Sequence, residues 1–454
     1  MIDRTILKDL RKWAVSNPRK PLILRGARQV GKTTVVDIFS KEFDQYIYLN
    51  LEKDFDTEFF KRKLPAREVL QAIAIDKGVN ITAGRTLIFL DEIQNSAEAV
   101  TMLRYFFEDT PEYFFIAAGS LLEIMLENKK ISFPVGRVTY LYMYPLTFSE
   151  FTKAVGEKQA LKYLFQIPCP EFANFKLYKL FHLYTLVGGM PEAVSKYIET
   201  QDIVSLGSVY KDLITAYIDD AGKYARTKQF AHILRYAIES VPFEAGRRIK
   251  FEGFHQSNYR YREMAESMRS LERAMLIRII YPTTSVKPPL IPDYRKSPRL
   301  QYLDTGLLNF QVQLQKYFYQ YNDLHAFYQG ILAEHIAYQE IIGTDNSADS
   351  KPAFWVREKR QSNAEVDYLL QYKNLLIPVE IKAGKSGTLR SLHQFVDAAD
   401  HNYAIRLYAG SLKIEKTKTL SGKSFILLNL PYFLAGQLNN YADWFVKQNN
   451  KKES

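Results

Sequence analysis

Residues 26 to 33 limit the fold of this 454-residue chain more tightly than any other stretch. They run Gly26-Ala27-Arg28-Gln29-Val30-Gly31-Lys32-Thr33, the spacing G-x-x-x-x-G-K-[ST]. The apolar run Leu22 to Leu24 before them reads as a buried strand, and an apolar-periodic helix opens near Lys32 and takes in Thr34. Glycines let the backbone N–H groups of such a turn curl around a phosphate, and the helix N-terminus adds positive potential. Lys32 then reaches the β- and γ-phosphates and the Thr33 hydroxyl ligates Mg²⁺, so ATP and Mg²⁺ are the expected cofactors.

The stretch RTLIFLDEIQ, 85–94, supplies a partner motif. Leu87 to Leu90 reads as a second buried strand ending in Asp91 and Glu92. An acid at the carboxyl end of a parallel strand lands beside the phosphate loop, where Asp91 holds the Mg²⁺ shell and Glu92 polarises the attacking water. Taken alone, Asp91 is equally a helix N-cap. A third strand, YFFIAAGS over 113–120, ends in Ser120. Ser120 fits a γ-phosphate sensor, the cap of a helix starting at Leu121, or both. Val138 to Tyr144 reads as a further strand behind Gly136-Arg137. Three roles are open to Arg137: completing the site of a neighbouring subunit, meeting nucleotide in its own chain, or lying on the surface. Strands alternating with helices predict an α/β fold with a parallel sheet covered on both faces, a P-loop NTPase.

LILRGARQVGKTT, LIFLDEIQ, GR…YPLTFSEF and LVGGMPEAV (186–194) together resemble a prokaryotic branch of the AAA+ superfamily. There an ATPase module precedes a C-terminal region of unknown function. The resemblance implies ATP hydrolysis and a helical lid marked by Gly188-Gly189-Met190-Pro191. By residue type alone, that tetrapeptide is a helix-breaking turn.

Residues 170–240 carry helical periodicity. From 226 the pattern reads as a helix (TKQFAHILRYAIES), a linker with Pro242 and Gly246, and a second helix (YREMAESMRSLERAMLIRII). A proline-rich, strand-like hairpin follows. Helix, helix, wing is the order of a winged helix-turn-helix, and Arg260, Arg262, Arg269 and Arg273 are candidates to face a phosphate backbone. The same arginines fit a solvated helix face, and such segments also serve as purely structural lids. DNA contact and structure stand as alternatives.

EVDYLLQYKNLLIPVEIKAGK, 365–385, reads as a hairpin turning at Lys373-Asn374. A two-residue turn there sets Asp367 opposite Glu380, with Lys382 two residues further on the same face. Pro378 cannot donate to a ladder, and a bulge there would slip the pairing by one. Two carboxylates and an ammonium on one face suit metal-assisted phosphodiester cleavage. The spacing D-x₁₂-E-I-K resembles the PD-(D/E)xK nuclease superfamily, with Val366 where its proline stands. The resemblance implies a restriction-endonuclease-like α/β domain and an acid from a preceding helix. FYQGILAEHIAYQEII, 327–342, offers Glu334, and the metal set becomes Glu334, Asp367 and Glu380. A fold that binds a partner without cleaving is the alternative. His335 and His393 lack ligand spacing and read as packing or surface residues.

These signals divide the chain into an AAA+ ATPase domain (1–165), a helical lid (166–225), a winged-helix-like segment (226–310) and a nuclease-like domain (311–454). Apolar residues, at 47%, suffice for several cores, and a formal net charge of +11 suits a polyanionic partner such as DNA. Soluble proteins also carry such an excess with no partner. Cys169 is the sole cysteine, which excludes an intrachain disulfide and suits a reducing cytosol. The charged N-terminus lacks a signal-peptide core and no apolar run approaches a membrane span, so a cytoplasmic protein without a membrane partner is expected. The expected function is an ATP-hydrolysing, DNA-associated protein whose front module controls a nuclease-like back, with a second copy of the chain and DNA as its candidate partners. The alternative is an ATP-switched signalling or interaction protein.

Overall fold

The computed structural model describes residues 2–120, 136–314, 331–346, 352–357, 364–384 and 388–450. Its first sheet contains β1 (Leu22–Arg25), β2 (Gln45–Asn50), β3 (Thr86–Asp91), β4 (Phe114–Ala118) and β5 (Thr139–Tyr142). The order is β2-β3-β4-β1-β5 and every neighbouring pair is parallel. Every residue of β1, β3 and β4 is buried. That is why they read as continuous apolar runs, since helices cover both faces of a parallel sheet. β2 is an edge strand of mixed exposure, QYIYLN, and carries no such signal. Parallel strands bring their carboxyl ends to one edge, so Gly26, Asp91 and Ser120 emerge side by side. The helix expected from Leu121 lies outside the described residues.

Helices Asn174–Val187, Pro191–Thr200, Gly207–Tyr224 and Lys228–Glu244 follow. Pro242 lies inside the last of these, not in the expected linker. Its missing N–H leaves the Ile238 carbonyl free of a helical donor, and Gln311 Nε2 donates to that carbonyl at 3.4 Å. The next helix stops at Arg273, and the expected helical end becomes a strand, β6 (Ile277–Ile280). Met275, at φ +59°, turns the chain, after which the β-branched isoleucines pack better on a sheet.

β7 (Pro282–Thr283) follows, and then β8 (Arg299–Tyr302), which pairs antiparallel with β6. β7 leaves that pair and joins β9 (Phe354–Val356), which also carries β10 (Glu365–Val366). The 226–310 segment therefore shares a sheet with the C-terminal part.

The last sheet holds β11 (Tyr368–Tyr372), β12 (Leu375–Ile381), β13 (Tyr403–Tyr408), β14 (Lys413–Lys418) and β15 (Ser424–Pro431), in the order β11-β12-β13-β15-β14. Its three central strands are parallel and both edges antiparallel. The helix Ile331–Gly343 precedes this sheet, and Arg390–Ala398 links β12 to β13. Positions 327–330 of the expected 327–342 helix lie outside the described residues.

Candidate functional site

The phosphate loop is shaped by two glycines. A Cβ on Gly26 would lie 2.6 Å from the Met143 carbonyl oxygen, and Gly31 sits at φ +96°, where side chains are strained. Lys32 is buried, and its ammonium donates to the Gly26 and Ala27 carbonyls at 3.0 and 2.9 Å. Burial lowers its pKa to about 8. The Thr33 hydroxyl donates to Asp91 Oδ2 at 2.8 Å, across 58 residues of sequence, while Thr34 is exposed. Glu92 leaves β3 at φ +52° and its carboxylate accepts from Gln94 Nε2. Gln94 packs on Gly119, where a Cβ would meet its Oε1 at 2.1 Å. Ser120 is buried at the carboxyl end of β4 and borders a small pocket with Arg28. Arg28 is tied to both oxygens of Asp220 at 2.5 and 2.6 Å. Gln29 takes φ +63°, and the Val30 carbonyl accepts from Arg4. A lysine already satisfied by loop carbonyls, beside a paired hydroxyl and carboxylate, is a donor set that fits a Mg²⁺–nucleotide.

Arg137 lies away from this set. Thr139 of β5 pairs with Leu22, at the amino end of β1, and Arg137 precedes it. The strand's length, about 13 Å at roughly 3.3 Å per residue, separates it from the phosphate edge. It pairs with Glu108 at 2.9 Å. Contact with the nucleotide of its own chain is therefore corrected.

Sequence patterns missed Arg4. Its guanidinium donates to the Val30 carbonyl at 2.9 Å and the Tyr144 carbonyl at 2.6 Å, and it pairs with Glu150 at 3.2 Å, both side chains being buried. Glu150 also closes the capping box with Thr147 at the start of the Phe148–Ala154 helix. No periodicity or motif marks a lone arginine in a charged N-terminal stretch.

In the C-terminal hairpin the predicted register is observed. Tyr372 pairs with Leu375 and Tyr368 with Val379, and Asp367 lies one residue before Tyr368, where its Oδ2 accepts from Ile381 N at 2.8 Å. Lys373 makes the turn at φ +52°. No bulge forms at Pro378. Leu369, its partner, donates its N–H away to Ala353 at 2.9 Å, so this is a non-hydrogen-bonded position where proline costs no ladder bond.

Asp367 and Glu380 are buried, and Lys382 donates to Glu380 at 2.6 Å. The acids Glu334 and Asp367, however, converge on a cation that the sequence did not suggest. Arg299 of β8 donates to Glu334 at 2.9 Å, Glu365 at 2.7 Å and Asp367 at 3.1 Å. The expected metal set of Glu334, Asp367 and Glu380 is thus corrected, because a guanidinium occupies the space among the carboxylates. Among the described residues no group of three or more His, Cys, Asp or Glu is placed to hold a metal ion. Burial, then the Asp367 charge, pushes the Glu334 and Glu380 carboxyls well above the ordinary range. His335 is a packing residue, buried and held neutral.

One helix, Ile331–Gly343, joins this cluster to the ATPase module. Glu334 reaches Arg299, and the Tyr338 hydroxyl donates to the Asp367 carbonyl. One turn on, Gln339 accepts from Thr305 N at 2.9 Å and donates to the Tyr184 hydroxyl at 3.0 Å. Tyr184 in turn donates to the Leu146 carbonyl at 2.7 Å. Glu340 accepts from Phe148 N at 2.8 Å. The Gly188-Gly189 turn is clamped at the same place. Gly189 N donates to Asp304 at 2.6 Å, and a Cβ on Gly189 would meet the Leu146 oxygen at 2.2 Å.

Burial raises the carboxyl of Asp304 to about 6 and that of Glu340 to about 7. Both values lie above the unfolded ones, so the stability these groups contribute is complete below about pH 4 and is lost as pH rises through about 6 and 7. Glu340→Gln stays neutral, so it should gain on wild type between about pH 5 and 8, by about 1–3 kcal/mol. Thermal melting of both chains across that range checks this, and parallel curves would contradict it.

Comparison with known proteins places three family models end to end. Residues 18–152 match an AAA domain, 178–317 a domain of unknown function (DUF8612) and 329–433 another (DUF4143). A curated protein of Methanocaldococcus jannaschii, described as uncharacterized, is 28% identical over 155 residues, 33% of this chain. The chain spans about a third, 31%, of that relative's length. Among solved structures, a Walker-type ATPase of Pyrococcus abyssi overlays 69% of this chain and 96% of its own at TM-score 0.43 and 15% identity. A STAND protein with a tetratricopeptide repeat sensor, from Pyrococcus horikoshii, overlays 76% and 48% at TM-score 0.27 and 13% identity. Among the described residues no helix is long and apolar enough to cross a membrane. With the AAA match lying over the glycine loop and the Asp91-Glu92 strand, the front of this chain is an AAA-type P-loop ATPase domain.

Proposed function

We propose that ATP binding and hydrolysis at the P-loop set the state of the C-terminal domain, which is nuclease-like and faces DNA. The helix Ile331–Gly343 carries this reading, because it places Glu334 in the acid cluster, Gln339 against Tyr184 and Glu340 against Phe148 of the ATPase domain. Bound Mg²⁺ supplies charge neutralisation at the β- and γ-phosphates. Thr33 and Asp91 hold that ion, and Gly26 through Gly31 with Lys32 cradle the phosphates. Glu92 takes the proton of the attacking water and Ser120 senses the γ-phosphate. Arg137, about half exposed, serves the nucleotide of a neighbouring copy in a homo-oligomer.

The order helix, hairpin, helix, strand from 331 to 408 supports the nuclease-like assignment. Arg226, Arg262, Arg269 and Arg273 line an open cleft that suits a phosphate backbone in a cytoplasmic setting. In this reading Arg299 holds the acids until the nucleotide state moves it. A second reading, in which the C-terminal fold only binds a partner, is favoured by the three ion pairs of Arg299, which hold Glu334, Glu365 and Asp367 without a metal.

The test is DNA binding and cleavage by the full chain with ATP, with ADP and without nucleotide, across salt concentrations. DNA affinity should change with nucleotide and fall steeply with salt. Nucleotide-independent affinity would disconnect the two ends. Absence of DNA binding would leave the partner-binding reading.

A further inference from the structure

A second cavity, of about 470 Å³, lies on the far side of β1 from Asp91, where the ATPase sheet, the 226–310 segment and the C-terminal part meet. That volume falls in the range of small-ligand pockets, about 300–1,000 Å³. Its walls come from all three regions: the ends of β1 and β5, the end of the Tyr261–Arg273 helix with β6 and β8, and Gln339 with Ala353. No motif pointed to it, and the P-loop chemistry does not use it.

Arg25 and Arg278 bring guanidinium groups to its wall against one lining carboxylate, Glu272, and Arg273 offers its carbonyl, which accepts from Arg25 at 3.4 Å. Glu272 already accepts from Ile279 N at 2.8 Å. The balance is cationic, so the natural occupant is an anion. The rest of the wall is aromatic. Arg25 lies 5.1 Å from the Tyr142 ring and bonds its hydroxyl at 3.0 Å. Arg278 lies 5.7 Å from the Tyr144 ring and bonds its hydroxyl at 2.8 Å. At the mouth Tyr281 and Tyr294 meet edge to face at 4.8 Å, and Tyr294 is 71% exposed. An exposed ring on the rim of a pocket is a stacking platform for a flat base. Guanidinium groups held against tyrosines are placed for phosphate.

We propose that this cavity binds a mononucleotide, its base stacked at Tyr281 and Tyr294 and its phosphate held by the arginines, at a site separate from the P-loop. Arg25 immediately precedes Gly26, the first residue of the phosphate loop.

The test uses the full chain carrying Lys32→Ala, which disables the P-loop, with AMP as the probe in calorimetry and thermal melting. AMP should bind, should raise the melting temperature, and should bind at least about tenfold more tightly than adenosine or inorganic phosphate. Arg278→Gln and Tyr294→Ala should each weaken AMP by about tenfold or more. Should Arg278→Gln lower the melting temperature of the free chain, the exposed Tyr294→Ala decides. AMP binding that vanishes with Lys32→Ala places the nucleotide in the P-loop and overturns the proposal. So does affinity indifferent to both cavity variants. Salt-steep binding of a single-stranded oligonucleotide without AMP binding overturns it in favour of a nucleic-acid end.

Discussion

Glu92→Gln should bind ATP as the wild type does and hydrolyse it about 10²–10⁴-fold more slowly, the range a positioned base contributes. The geometry makes this a clean substitution. The Glu92 carboxylate is held by a donor, Gln94 Nε2, and glutamine keeps an acceptor oxygen for that bond. Backbone and loop stay in place, and only the proton acceptor is lost. Lys32→Ala should behave in the opposite way. Its buried ammonium is satisfied by the Gly26 and Ala27 carbonyls and stands beside the phosphate path, so its loss should abolish tight binding itself. Turnover and the affinity for a fluorescent ATP analogue, measured on both variants, separate the two roles. Wild-type turnover in Glu92→Gln would move the base to another residue.

Arg299→Ala should destabilise the chain by about 3–5 kcal/mol, the cost of leaving buried charge without its partner. Glu365 would keep Arg248 and Glu380 would keep Lys382, while Glu334 and Asp367 would lose the guanidinium that holds them. The Glu334 and Glu380 carboxyls, already raised by burial and the Asp367 charge, would rise further, and the sign follows from that. Folded values above the unfolded ones give stability that is full at low pH and lost on the way up, so the deficit should widen from about pH 5 to 8. With the guanidinium gone, the cluster becomes attractive to a divalent cation. Mn²⁺ should therefore recover part of the lost melting temperature in Arg299→Ala and leave the wild type unchanged. A small, Mn²⁺-independent loss would mean that the acids are solvated and apart.

The sequence alone determined the elements whose signals are local. Four glycine-loop and strand-end residues, Gly26, Lys32, Thr33 and Asp91, were legible because a phosphate site demands fixed types at fixed spacing. The register of β11 on β12 was legible because a two-residue turn sets hairpin register and a period of two sets the face. Pro378 threatened that register only on paper, since nothing local told which side its missing N–H would face.

What the tertiary structure decided lies in pairs with no shared pattern. Arg299 meets Asp367 across 68 residues, Arg4 meets Tyr144 across 140, and Glu340 caps Phe148 across 192. Each is a single polar side chain in an ordinary setting. Its role comes from what the fold packs against it, and burial then fixes its charge and partner. The same holds for Pro242, tolerated in a helix through Gln311, and for Arg137, which strand direction places at the opposite edge from the nucleotide. Local chemistry thus wrote the P-loop and the hairpin. Only the fold put a guanidinium among the acids and one helix between the two ends, because contacts between distant segments leave no periodic trace in the chain.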